Sequence, residues 1–264
     1  MIKTNEKHAF SANYSQSNDV QFQAAEHYLQ SMLGNDFKYL TWLDVGCGDG
    51  KLMNAYSIDK PSILRTGIDL SARLIEEAKN NAPGTADFKV LDARELARIN
   101  KSYQLVTSFF CLQWLSNCEI KQVFSAMIER LSPGGHLVII LPIDQTTLSQ
   151  ARQNSLKRYT QNYTIPLGVQ NTAAFELIFQ SACQEHNMQV VSDGLTHFKL
   201  PGGTDLFKQY ISGWMSELRE CDLTVQSQQE YLSDIVNCMP KNEQGEVDFS
   251  THAYCLHASK ASSS

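Results

Sequence analysis

The chain has 264 residues, 42% of them hydrophobic, with a formal net charge of −6, enough for one large domain or a core domain carrying a substantial insertion. The acidic balance argues against nucleic acid as partner, since phosphate neutralisation needs clustered basic groups; Arg152, Lys157 and Arg158, the densest basic stretch, read as a solvated helix face. The polar start MIKTNEKHAF lacks a signal-peptide core, and the longest apolar run, Leu137 to Pro142, is far short of the roughly 20 residues that span a bilayer, so no membrane partner is expected.

Residues 7–33 read as helical, with Phe22, Ala25, Tyr28, Leu29 and Met32 at helical intervals. Strands and helices then alternate. Tyr39–Val45 is a strand running into glycines, Gly50–Tyr56 a helix start, and Ser62–Leu70 a second strand. Ser71 caps a helix to about Asn81, which Ala82-Pro83-Gly84 stops. Phe88–Leu91 and Tyr103–Phe109 are the third and fourth strands. Ile120–Leu131 is a helix closed by Ser132-Pro133-Gly134-Gly135, and His136–Leu141 is the fifth strand. This rhythm predicts an α/β fold, a doubly wound parallel sheet.

After Pro142 the rhythm changes. Residues 144–187 read as mostly helical, Gln189–Leu200 as a long strand, 204–239 as polar and helical, and Thr251–Lys260 as a closing strand. The helical stretches look too polar and interrupted for a core of their own. They are expected, with the N-terminal helix, to cap one end of the sheet. Seven cysteines without a CxxC pair point to reduced thiols in a cytoplasmic protein. No metal site is expected: the histidines do not combine with Cys or Asp at ligand spacing. His252 and His257, five apart in a strand, face opposite sides of the sheet.

The most informative stretch is Trp42-Leu43-Asp44-Val45-Gly46-Cys47-Gly48-Asp49-Gly50. An apolar strand runs into three alternating glycines that open a helix, and bare glycines let a ligand approach the backbone. Dinucleotide-binding folds use a similar turn. Three features discriminate. Lys51 stands where the dinucleotide pattern needs glycine. Asp44 and Asp49 bracket the loop, which suits a pyrophosphate badly and a cation well. Asp69 and Asp92 end the next two strands, where ligands of open α/β sheets sit. S-adenosylmethionine (SAM) carries no phosphate but has an ammonium and a sulfonium. In this reading Asp69 accepts both ribose hydroxyls and Asp92 the adenine amino group.

The run LDVGCGDG, then GIDLS, LDA and LSPGGHLVI, resembles the class I SAM-dependent methyltransferases over residues 38–142. The resemblance implies a seven-stranded, mostly parallel, Rossmann-like sheet whose last two strands, 189–200 and 251–260, form an antiparallel hairpin. It implies one methyltransferase domain over 1–264, with a SAM-binding core at 38–142 and helical cap segments at 7–33, 144–187 and 201–250. The cofactor-binding set is then Tyr14, Asp44, Gly46, Cys47, Gly48, Gly50, Asp69, Leu70, Asp92, Ala93 and Phe109. Val106 to Trp114 is similar to the fourth-strand segment of the juvenile hormone acid methyltransferases, and more loosely to the trans-aconitate and malonyl-acyl-carrier-protein enzymes. All of these methylate a carboxylate. The helix with Asn18-Asp19-Val20-Gln21 resembles the first group, whose matching Gln and Trp contact the substrate carboxylate; Gln21 and Trp114 carry that implication here. The Phe10…Tyr14 spacing resembles the malonyl-acyl-carrier-protein enzymes.

A carboxylate is already ionised at neutral pH, so its methylation needs no general base. The expected function is carboxyl O-methylation of a small organic or fatty acid, with Gln21 and Trp114 as neutral orienting donors and Phe109 and Phe110 walling the pocket. Two alternatives stay open: an acid carried on an acyl carrier protein, as in early biotin synthesis, and a non-catalytic SAM-binding module. An NAD(P)-dependent oxidoreductase is opposed by Lys51 and the bracketing aspartates.

Overall fold

The computed structural model describes residues 14–33, 41–59, 63–81, 86–143, 146–161, 163, 165, 172–199, 203–215 and 217–262. Its seven strands are β1 Thr41–Val45, β2 Leu64–Asp69, β3 Ala86–Val90, β4 Tyr103–Phe109, β5 Leu131–Pro142, β6 Met188–Lys199 and β7 Ser250–Lys260. They form one sheet in the order β3-β2-β1-β4-β5-β7-β6. β1 lies parallel to β2 and β4, β3 parallel to β2, and β5 parallel to β4. β7 runs antiparallel to β5, with Ile139 opposite Leu256. The predicted doubly wound, mostly parallel sheet is therefore the fold.

The described helices are α1 Tyr14–Ser17, α2 Asp19–Leu33, α3 Lys51–Asp59, α4 Ala72–Asn80, α5 Asn117–Glu129, α6 Thr146–Leu156, α7 Thr172–Glu185, α8 Gly203–Trp214, α9 Glu217–Glu220 and α10 Val225–Cys238. Residues 7–13 of the expected first helix lie outside the described residues. Boundaries moved where side chains take over backbone hydrogen bonds. α5 starts three residues before the expected Ile120, because Ser116 and Glu119 close a capping box around its first turn. Ser71 caps α4 as its sequence predicts.

The chain divides into two compact units. One comprises residues 21–143, 171–196 and 253–264; the other comprises 1–20, 144–170 and 197–252. In the first unit, Trp42, Leu43, Val45, Ile68, Leu105, Val106 and Leu137 to Leu141 are buried. Parallel strands read as unbroken apolar runs for this reason. Trp42, with no exposed surface, still satisfies its indole N–H, which donates to Thr107 Oγ1 at 2.8 Å. α7 packs on α5: Phe179 meets Phe124 at 4.6 Å between ring centroids, and Lys121 Nζ lies 3.0 Å from Glu185 Oε1.

The second unit corrects two expectations. Its helices do have a core of their own, which includes Leu148, Leu156, Phe207, Ile211, Tyr231, Ile235 and Phe249. α8 is amphipathic, so a polar composition conceals an apolar face bearing Phe207, Tyr210 and Ile211. Arg152 is not on a solvated face. It is buried, and its Nε and Nη2 donate to Glu217 Oε1 and Oε2, each at 2.8 Å. The Tyr231 hydroxyl adds a 2.9 Å bond to Glu217 Oε1, and the guanidinium sits 4.9 Å from the Trp214 ring centroid. Pairing is what makes these buried charges tolerable.

In the sheet unit, His136 Nδ1 and His257 Nε2 lie 2.8 Å apart between β5 and β7. Burial, with His136 beside it, pushes His257 down to about 4, and burial lowers His136 as well. Both imidazoles thus resist protonation in the folded protein, whereas the unfolded chain takes up protons near pH 6.5. Stability is expected to be full above pH 6.5 and to fall by roughly 2–3 kcal/mol between pH 6.5 and pH 4 through this pair. Urea denaturation of the wild type and of His257→Leu across that range checks this; the variant should lose less on acidification.

Candidate functional site

Gly46, Cys47, Gly48, Asp49 and Gly50 form the turn from β1 into α3. Gly46, Gly48 and Gly50 all have positive φ (81°, 57° and 70°). At Gly46 space as well as φ demands glycine: a Cβ there would lie 2.3 Å from Cys111 Sγ. The Cys111 side chain therefore rests on bare backbone. At Gly50 a Cβ would meet Phe88 Cζ at 2.7 Å. Gly46 N and Cys47 N both donate to Ile68 O, at 2.8 and 2.9 Å, pinning the turn to β2.

Asp69, at the end of β2, completes that attachment. Its Oδ2 accepts from Gly48 N at 3.0 Å and its Oδ1 from Ser71 N at 2.8 Å. Burial raises its pKa against these two bonds. Asp44, inside β1, accepts from Thr107 Oγ1 at 2.6 Å, and Thr107 in turn accepts from Trp42. Burial pushes Asp44 up to about 7, with Asp69 adding to the rise. Neither Asp44 nor Asp69 has a Lys, Arg or His in ion-pair contact among the described residues. Asp49 accepts from Lys51 N at 3.2 Å at the start of α3.

Asp92 follows β3 and caps a 3₁₀ turn over Ala93–Arg98. Its carboxylate is held by Arg94: the backbone N donates to Oδ1 at 2.9 Å, Nε reaches both oxygens at 3.0 Å, and Nη2 donates to Oδ2. Arg94 Nη1 continues to Glu119 Oε1 at 2.9 Å. Arg94 thereby holds Asp92 below the usual carboxylate range. The charges of Asp69, Asp44 and Asp92 all act on the Cys111 thiol, which burial and those charges push up to about 12. Of the three, Asp69 is the one bonded to the glycine turn itself. Ala93 is half-buried and Leu70 exposed.

Phe109, buried, ends β4, and Phe110 follows with φ 53°, rare for a bulky residue. Its N–H donates to Ile140 O at 2.9 Å, and its carbonyl accepts from Gln113 Nε2 at 2.7 Å. Trp114 is 39% exposed, unlike the sealed Trp42. Gln21 sits half-buried on α2. The side-chain oxygens of Gln21 and Gln113 are buried without a hydrogen-bond partner, at a cost of roughly 1–3 kcal/mol each if nothing fills them. Tyr14 opens α1 in the other unit, and its side chain lies outside the described residues. Sequence reading missed Arg94, Glu119 and Gln113. Gln113 stands beside Trp114 in the run already singled out, whereas only the contact itself reveals Arg94.

A sequence profile described as a methyltransferase domain matches residues 43–135. The chain is 29% identical over 186 residues to methyltransferase 235L of Invertebrate iridescent virus 6, covering 67% of this chain and 67% of that one. It is 28% identical over 152 residues to malonyl-[acyl-carrier protein] O-methyltransferase of Alcanivorax borkumensis, covering 56% of this chain and 51% of the relative. The chain thus spans between half and two thirds of the length of these relatives. The fold is that of magnesium protoporphyrin IX methyltransferase from Synechocystis PCC 6803 with bound SAH (TM-score 0.56, 13% identity, 94% of this chain and 86% of that one). Sheet order, glycine turn and matched region define a Rossmann-like methyltransferase domain. Residues 43–135 match a methyltransferase domain and the sheet has the class I fold, for which SAM is the cofactor.

The residues present fit that cofactor: a positive-φ glycine turn at the carboxyl end of β1, edged by buried Asp44 and half-buried Asp69, neither with a Lys, Arg or His in ion-pair contact among the described residues. A bound cation favours ionised Asp44, so ligand binding should release its proton. Affinity for S-adenosylhomocysteine (SAH), which keeps the ammonium, is expected to rise about tenfold from pH 6 to pH 8 and then level off. Calorimetry checks this, and Asp44→Asn should flatten the profile.

Proposed function

We propose that the protein methylates the carboxylate of a small organic or fatty acid. The observation that carries this reading is the chemistry of the β4 corner. Among residues 109–115 no side chain titrates near neutral pH, since the one thiol, Cys111, is pushed up to about 12. A corner without a base of its own suits an acceptor that arrives ionised, and carboxylates do so. The resemblance of Val106 to Trp114 to carboxylate-methylating groups supports the same reading.

The cofactor supplies an electrophilic methyl group on a sulfonium. The chain's own residues do the rest. Asp69 holds the ribose hydroxyls and Asp92, its carboxylate fixed by Arg94, the adenine amino group. Gly46, Cys47, Gly48 and Gly50 form the bed; Leu70, Ala93 and Phe109 line it; Asp44 offers its charge to the cationic end. Gln21 and the Trp114 indole orient the acceptor carboxylate through neutral hydrogen bonds, which leave it nucleophilic. Trp114 stays 39% exposed at this corner, which supports a contact role over a core one. Phe109 and Phe110 exclude water, and alignment of donor and acceptor supplies roughly 7–11 kcal/mol of the barrier reduction.

A carrier-bound acid is the second reading, supported by the malonyl-carrier relative; a net charge of −6 suits an acidic carrier poorly. A single methyltransferase domain belongs to the same proposal. So does a cytoplasmic setting, supported by the absence of disulfides at all seven cysteines. No helix among the described residues is long and apolar enough to cross a membrane.

Incubation with methyl-labelled SAM and a panel of free and carrier-bound acids should yield base-labile methyl esters from a free acid. Base-stable label, on nitrogen or carbon, would overturn the carboxylate reading. With the acid so found, Trp114→Phe should cut turnover at least tenfold while SAH affinity stays within twofold; parallel loss of both would make Trp114 structural.

A further inference from the structure

The order β3-β2-β1-β4 gives the cofactor a direction. With adenine at Asp92 after β3 and ribose at Asp69 after β2, neighbouring strands lie about 4.8 Å apart. The amino-acid tail must then run over β1 toward the β4 corner. That tail ends in an ammonium, whose three N–H groups need acceptors. The β4 corner holds a buried acceptor that no protein group among the described residues uses: Gln113 Oε1. The corner also touches the cofactor bed, since Cys111 rests on Gly46.

We infer that the Gln113 side-chain oxygen accepts a hydrogen bond from the α-ammonium of the cofactor. The inference rests on the SAM-binding reading above and adds a residue to it. Gln113 is held for the task from its other end, since Nε2 donates to the Phe110 carbonyl at 2.7 Å and so fixes the amide plane. A glutamine that merely braced the strained Phe110 corner would need only its nitrogen. Its oxygen would then be sealed from water with nothing to bind, a loss that natural cores seldom accept. A charged N–H donor of the cofactor answers this, and a bare carboxylate acceptor, having no donor hydrogen, does not.

Calorimetry with two ligands separates binding from bracing: SAH has the amino-acid tail, and 5′-methylthioadenosine has the same nucleoside without it. Gln113→Met is expected to weaken SAH at least tenfold and to leave methylthioadenosine within twofold. Equal losses for both ligands, or unchanged SAH affinity, would overturn the inference. A wild-type protein that binds neither ligand would remove the SAM-binding reading and this inference together.

Discussion

The structure of the site depends on one carboxylate bonding to one loop. Asp69 Oδ2 accepts from Gly48 N, so the end of β2 clamps the turn that leaves β1. The same side chain accepts from Ser71 N, and Ser71 caps α4. One residue thus joins two strands, the glycine turn and a helix start. The glycines around it have backbone conformations and close contacts that other residues could not adopt. Remove the clamp and, among the described residues, the bonds from Gly46 and Cys47 to Ile68 O remain to tie the turn to β2.

The electrostatics follow from that arrangement. Asp44 is buried and Asp69 half-buried, burial raises both, and neither has a basic ion-pair partner among the described residues. Buried carboxylates are ordinarily paired, so two beside the glycine turn favour a cationic ligand there. Asp92 contrasts with them, because Arg94 already neutralises it. The same three residue types, read as equals from the sequence, therefore differ in duty. Two are raised carboxylates that a cation would ionise, and the third is already ionised and held by Arg94.

Much of this was legible in the sequence for a physical reason. Gly46, Gly48 and Gly50 announce a turn because positive φ excludes most residues there, and Asp69 and Asp92 announce strand ends because they interrupt apolar runs. The strand rhythm through Leu141 gave the sheet, since buried parallel strands leave an unbroken apolar record. What was not legible came from side chains meeting across space. Arg94 reaches Glu119, 25 positions away, and Arg152 reaches Glu217, 65 positions away; spacing carries no trace of either. The helical unit's core was missed because its apolar residues are spread over α6, α8 and α10, each polar on its other face. Gln113 was in view but read past, because an amide has no chemistry of its own until its oxygen is found without a partner.

The central claim is that a phosphate-free cationic nucleoside is held at the glycine turn by Asp69. Isothermal titration of SAH into the wild type and Asp69→Ala tests it most directly. The account predicts saturable binding by the wild type and at least tenfold weaker binding by the variant, which loses charge-assisted hydrogen bonds worth about 1.5–3 kcal/mol each. Equal affinities, or tighter binding of NAD(P) than of SAH by the wild type, would contradict it.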